Sequence, residues 1–236
     1  MSNIFDTEYF PTPREVISQM IAPYRKEISK RQILEPSAGT GSILDYLAES
    51  YGYKAPKANL YACEINPELV MVLQGKGYKI LADDFLSYKP SHTFDLIVMN
   101  PPFSNGDEHL LHAWDILWTG DVVCLLNAET IRNPYTQRRK LLAQIIQEHG
   151  SVDYLGKCFR GASRQTNVEV AMVRLHKEVE DQRWHIDFGD GAKVEGVPDF
   201  KEAVSSGSEI AVVDKLGDYL HAWDKAKEAA VEFIKA

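Results

Sequence analysis

Residues 31–42 read RQILEPSAGTGS, and the fold turns on how they are taken. A short apolar run, Ile33 and Leu34, meets Pro36 and then Gly39 and Gly41, after which ILDYLAES (43–50) takes up helical spacing. Glycine lets a chain turn sharply and lets its backbone approach a ligand closely, and the helix that follows offers free N–H groups in its first turn. A strand, a glycine turn and a helix in that order open an alternating α/β arrangement. The turn lacks the G-x-G-x-x-G spacing of a dinucleotide site, and no G-K-[ST] follows it, so a nucleoside triphosphate is disfavoured. A glycine pair used only for tight packing would look the same locally, so the neighbouring segments have to decide.

The same punctuation continues down the chain. ANLYACEI (58–65) is a short apolar strand, and NPELVMVLQGKG (66–77) opens a helix with Pro67 in its first turn. YKILADDF (78–85) reads as strand and turn, TFDLIVMN (93–100) as a strand, and DEHLLHAWDILW (107–118) as a helix. GDVVCLL (120–126) is a strand, and YTQRRKLLAQIIQEHG (135–150) is a helix ending at a glycine. SVDYLGKCF (151–159) and NVEVAMVRL (167–175) are the last strands. Strands alternating with helices of this length predict a doubly wound, mostly parallel α/β sheet covered on both faces. Ligands bind such sheets at the carboxyl ends of the strands, so the residues at those ends are the candidates for function.

From about residue 177 the character changes to polar, turn-rich sequence, with SSGSE (205–209) as a flexible connection. Leu216, Tyr219, Leu220, Trp223, Val231 and Ile234 then recur at helical spacing up to Ala236. Two parts are therefore expected: a domain over residues 1–176, and a polar connection with a C-terminal amphipathic helix over 177–236.

Composition bounds the rest. The 236 residues are 44% hydrophobic and 25% charged, with no apolar stretch of membrane-spanning length and no signal-peptide pattern at the start. Cys63 and Cys124 sit in apolar runs, as core thiols do, and a reducing cytoplasm is the expected home. The formal charge of −8 argues against a surface basic everywhere but leaves room for a local patch. Arg132, Arg138, Arg139 and Lys140 form one such cluster, and Lys157, Arg160 and Arg164 another.

Two acidic positions extend the glycine turn. Glu64 ends the second strand about 25 residues after Gly39, near the spacing at which a carboxylate grips a ribose diol. Asp84 and Phe85 end the third strand, where a carboxylate can accept from an adenine amine while the ring packs on the purine. At the end of the fourth strand stand Asn100, Pro101, Pro102 and Phe103, a rigid elbow in which neither proline can donate to a sheet.

On these residues the chain resembles class I S-adenosylmethionine-dependent methyltransferases, and more narrowly the DNA adenine-N6 group in its gamma arrangement. FPTP (10–13) is similar to the group's N-terminal cofactor motif, EPSAGTGS (35–42) to its glycine motif, and NPPF (100–103) to its catalytic tetrapeptide. The resemblance covers residues 5–176 and implies seven strands with the last one antiparallel. It implies cofactor contacts from Phe10, Thr12, Pro13, Glu35, Pro36, Ser37, Gly39, Gly41, Glu64, Ile65, Asp84, Phe85 and Asn100, and no metal. In the implied reaction, the Asn100 amide oxygen and the Pro101 carbonyl accept the hydrogens of an adenine amine, Pro102 stiffens the elbow, and Phe103 stacks on the base. The target amine is the main partner of Asn100 in this reaction, so its loss should leave cofactor affinity nearly unchanged. Arg132, Arg160 and Arg164 are the expected phosphate contacts, with DNA as the partner, in a restriction-modification setting. About 60 residues follow the resemblance and form no obviously basic stretch, so a second subunit or a further region is expected to supply sequence recognition. His109 and His112 lie on a helical segment without a metal-binding frame and read as ordinary helix residues. The alternatives left open are a base amine in RNA, a protein glutamine amide, and a non-catalytic partner subunit.

Overall fold

The computed structural model describes residues 10–49, 54–90, 92–159 and 167–178. Its strands are β1 (Ile33–Glu35), β2 (Leu60–Cys63), β3 (Lys79–Ala82), β4 (Leu96–Met99), β5 (Gly120–Asn127), β6 (Gly150–Gly156) and β7 (Val170–Lys177). Its helices are α1 (Arg14–Ile21), α2 (Ser42–Glu49), α3 (Pro67–Gly75), α4 (Gly106–Ile116), α5 (Ala128–Arg132) and α6 (Gln137–His149). The strands form one seven-stranded sheet in the order β3-β2-β1-β4-β5-β7-β6. From β3 to β5 every neighbour is parallel, and β7 runs antiparallel to both β5 and β6. The expected doubly wound sheet with an antiparallel last strand is therefore present. The C-terminal amphipathic helix lies outside the described residues.

Alternation within the strands sends their side chains into two separate cores. Ile33, Leu60, Leu96, Val98, Val123 and Leu125 pack with α1 and α2, through Val16, Ile17, Met20, Ile43, Leu44 and Leu47. Leu34, Cys63, Ile97, Met99, Val122 and Cys124 face the other way, against Leu110 and Ala113 of α4 and Leu142 and Ile146 of α6. Period-two patterning with both faces covered is what makes these strands read as continuous apolar runs. Cys63 and Cys124 are buried, free thiols. Among the described residues no helix is long and apolar enough to cross a membrane.

Two helices lie outside the sequence expectation. In α1, Val16, Ile17, Met20 and Ile21 follow a helical stripe and are all buried, but the helix is only eight residues long and follows directly on Pro13. At five residues, α5 is too short to show periodicity. Where capping chemistry is present the boundaries agree. Asn66 caps α3 by accepting from the Glu68 N–H at 2.9 Å, and Pro67 occupies the first helical position.

The chain winds outward in one direction through β2 and β3 and in the other through β4 and β5, so the strand order reverses between β1 and β4. The crevice outside that reversal is where an open α/β sheet takes its ligand. Glu35 ends β1 on one side of it, and Asn100 follows β4 on the other.

Candidate active site

The glycine turn is built around a carboxylate. Gly41 has φ +84° and a Cβ there would come within 2.8 Å of Leu73 Cδ2, so both the backbone and the packing favour glycine. Gly39, at φ +56°, donates its N–H to Glu64 Oε2 at 2.7 Å. The other oxygen of Glu64 accepts the Asn66 N–H at 2.9 Å. Glu64 is only 8% exposed and clamps the end of β2 to the turn after β1. Each of its oxygens keeps a further lone pair for a ligand hydroxyl.

Behind the turn, Glu35 is 3% exposed and accepts the Leu44 N–H at 3.2 Å. Burial pushes its carboxyl well above the ordinary carboxylate range, with the Glu64 and Asp45 carboxylates adding to the effect. Across the crevice Asp84 is exposed and caps the 3-10 turn Phe85–Ser87 by accepting the Leu86 N–H at 3.0 Å. Phe85 is buried, with His112 edge-on at 4.8 Å and His109 tilted at 5.8 Å.

The elbow after β4 is tied to the N-terminal arm. Asn100 donates from Nδ2 to the Phe10 carbonyl at 2.9 Å and to Thr12 Oγ1 at 3.1 Å. A carbonyl oxygen has no hydrogen to give, so the NH2 end of the amide must face it. That fixes the side chain and leaves Oδ1 as an acceptor at the crevice. Asn100, expected both at the target and among the cofactor contacts, is thus tied to the N-terminal arm, a connection that NPPF alone does not announce. Phe103 stacks on Phe10 with centroids 6.2 Å apart and meets Phe159 edge-on at 6.3 Å.

These segments enclose a cavity of about 780 Å³, within the range of roughly 300–1,000 Å³ usual for small-molecule sites. Phe10 and Thr12 of the arm line it, as do Glu35, Pro36, Ser37 and Gly39 of the first turn. Glu64 and Ile65, Asp84 and Phe85, and Asn100 and Pro102 complete the expected set. Pro13, Gly41, Pro101 and Phe103 are not in that lining. The sequence reading missed Asn66, Asn105 and His109, which are. His109 is no ordinary surface-facing helix residue: it is 7% exposed in the cavity wall, and burial lowers its imidazole pKa. Its i+4 spacing from Asn105, just past the elbow, was the available signal. His112 instead contacts the Tyr88 carbonyl at 3.1 Å.

The arginine cluster is largely occupied within the fold. Arg132 bonds Glu169 at 2.6 Å and lies over the Tyr154 ring, and Arg138 pairs with Glu108 at 2.8 Å. Arg139 pairs with the buried Asp107. Arg160 and Arg164 lie outside the described residues.

The residues present suit an adenosyl sulfonium ligand: paired acceptors for ribose hydroxyls at Glu64, and a carboxylate and a ring at Asp84 and Phe85. Comparison with known proteins agrees. Residues 6–118 match the N-6 DNA methylase family. A type II methyltransferase, M.CvrRI of Paramecium bursaria Chlorella virus XZ-6E, is 24% identical over 121 residues, or 51% of this chain and 31% of that protein. Among solved structures, a type I restriction-modification methyltransferase subunit from Streptococcus thermophilus superposes with TM-score 0.55 at 17% identity, over 72% of this chain and 45% of that one. A dimethyladenosine transferase from Plasmodium falciparum gives TM-score 0.53 at 16% identity, over 72% and 64%. The chain covers less than two thirds of the length of each of these proteins. With its sheet order and its glycine turn, the chain has the fold of the class I S-adenosylmethionine-dependent methyltransferases, and over residues 6–118, just under half of its length, it is similar to the N-6 DNA methylases.

Proposed function

We propose that the chain methylates the exocyclic N6 amine of adenine in DNA. The observation that carries this reading is the Asn100 amide, whose donor end is consumed by Phe10 and Thr12 while its acceptor end has no partner among the described residues. When bound, S-adenosylmethionine supplies an electrophilic methyl group on sulfonium. An adenine amine is a poor nucleophile because its lone pair is delocalised into the ring. Asn100 Oδ1 and the Pro101 carbonyl each accept one amine hydrogen, which favours a tetrahedral nitrogen and aims its lone pair. The same two oxygens stabilise the positive charge that grows on nitrogen as the new N–C bond forms and the S–C bond breaks. One amine proton then leaves to solvent. Pro101 and Pro102 fix the acceptors, and Phe103 is the ring proposed to pack on the base. A base in duplex DNA has to leave the stack to reach this elbow.

Glu64 is the proposed ribose ligand, and Asp84 with Phe85 and Ile65 the adenine end. Pro13, Pro36, Ser37 and Gly41 shape the cofactor turns. Arg160 and Arg164 are the proposed phosphate contacts, whereas Arg132 would have to leave Glu169 to serve as one. Sequence selection is assigned to a second subunit or a region beyond the matched segment. A tritiated-methyl assay on duplex DNA, single-stranded DNA, RNA and protein, followed by nucleoside analysis, tests the proposal. N6-methyladenine in DNA is the expected product. Label confined to RNA or protein would redirect the assignment to that substrate.

A further inference from the structure

Two acceptors at the start of α4 have no donor. Asn105 precedes the helix without making a side-chain cap, lines the cavity, and has its Oδ1 buried with no hydrogen-bond partner among the described residues. One turn further on, His109 lines the same cavity, and its Nδ1 lies 3.1 Å from the Asn105 carbonyl oxygen. That oxygen can only accept, so Nδ1 carries the ring proton and Nε2 presents a bare lone pair. Nε2 has no hydrogen-bond partner among the described residues. The ring leans on Phe85, beside Asp84.

We propose that His109 Nε2, held in its tautomer by the Asn105 carbonyl, accepts a hydrogen from the amine of the cofactor's adenine and so selects an amino over an oxo purine. The inference rests on the assignment of Asp84 and Phe85 to the adenine end. An adenine amine has two hydrogens, and the Asp84 carboxylate and His109 Nε2 provide an acceptor for each. A purine with a carbonyl at that position offers no hydrogen there and brings an oxygen against two acceptors, which leaves polar groups unpaired and disfavours binding. Burial of His109 disfavours the imidazolium, which keeps the acceptor available at neutral pH. Asn105 is a positioning residue here, because it acts on the ligand through His109.

The test is calorimetric titration with S-adenosylhomocysteine and with its inosine counterpart, S-inosylhomocysteine. The wild-type chain is expected to prefer the adenosine form by about tenfold or more, the scale of one net hydrogen bond. His109→Phe should lose about tenfold for the adenosine form and nothing for the inosine form, which narrows the ratio. His109→Gln, which keeps an acceptor oxygen, should retain part of the preference and covers the case in which the Phe variant fails to fold. An equal fall for both ligands, or no change in the ratio, overturns the inference. Asp84→Ala, titrated in parallel, separates it from its premise. If that variant weakens the adenosine form while the His109 variants leave the ratio intact, only the His109 role falls. If all the variants leave the adenosine form unaffected, the assignment of the adenine end falls with it.

Discussion

Replacing Asn100 with alanine should damage cofactor binding as well as catalysis, contrary to what the tetrapeptide alone suggests. The side chain holds the N-terminal arm by two hydrogen bonds, to Phe10 O at 2.9 Å and Thr12 Oγ1 at 3.1 Å. At about 0.5–1.5 kcal/mol net per bond, their loss amounts to roughly 1–3 kcal/mol. Thr12 is 8% exposed, so its hydroxyl is poorly placed to recover a bond from water, whereas the half-buried Phe10 carbonyl can rehydrate. The lower part of the range, about 1–2 kcal/mol, is therefore expected to reach the ligand, a weakening of roughly 5- to 30-fold. Methyl transfer loses an acceptor as well and should drop by a further factor of about 10²–10³, the scale for removing one preorganised partner of developing charge. Thr12→Val separates the two roles, because it removes one tether and leaves Asn100 Oδ1 in place. It should weaken S-adenosylhomocysteine by less than Asn100→Ala does and slow single-turnover transfer only modestly. The assays are calorimetry with S-adenosylhomocysteine and rapid-quench transfer of labelled methyl. If folded Asn100→Ala binds the ligand as tightly as wild type, the arm is not held by this amide and the reasoning fails.

Glu64→Gln keeps the shape of the clamp but has one acceptor oxygen, so either Gly39 N–H or Asn66 N–H meets an NH2 group. Cofactor affinity should fall by about 1–3 kcal/mol, and unchanged binding in calorimetry would remove Glu64 from the site. Glu35 behaves differently because its folded pKa is raised. The stability linked to its proton is fully present below the unfolded pKa and lost as pH rises through the folded one. Glu35→Gln should therefore unfold in urea much like wild type near about pH 4 and become relatively more stable near about pH 8; a stability difference that does not depend on pH contradicts the burial account. For nucleic acid, the double change of Arg160 and Arg164 to alanine should flatten the log–log salt dependence of duplex binding by about 0.9 per lost phosphate contact. Arg132→Ala should leave that slope nearly unchanged, since Glu169 already neutralises this arginine. Fluorescence anisotropy across a salt series reads both, and a large slope change for Arg132 alone would reverse the assignment.

What was legible in the sequence shares a physical trait: it depends on local spacing. The glycines of the first turn, the apolar strands and the residues at their carboxyl ends are set by period and punctuation, and Glu64, Asp84 and Asn100 fall where those signals end. What was not legible depends on partners far apart in the chain. The bond from Asn100 to Phe10 spans 90 residues, and nothing in NPPF announces that its amide is half committed to an arm so distant. The fate of Arg132 is decided by Glu169, 37 residues later, so the three arginines of a cluster that reads as basic are ion-paired in the fold. His109 has the same history. A histidine on a helical segment is ordinary until the turn Phe85–Ser87 packs against it and its own N-cap fixes its tautomer.

The chemistry of the elbow also accounts for the identity of its first residue. An amide is asymmetric, with an end that only donates and an end that only accepts. At position 100 the donor end faces a backbone carbonyl and a hydroxyl of the N-terminal arm, and in the proposed function the acceptor end is left for the amine to be methylated. A carboxylate there would present acceptors in both directions and repel the Phe10 carbonyl, while a serine could not reach both arm partners and an amine at once. Under the proposed function, asparagine joins the arm and the target through one rigid group. The acceptor is therefore aimed when the arm is docked over the cavity, and a loosened arm misaligns the acceptor along with the cofactor. Binding and positioning are set by the same two hydrogen bonds, so perturbations of Phe10, Thr12 and Asn100 should not act independently in a double-mutant cycle.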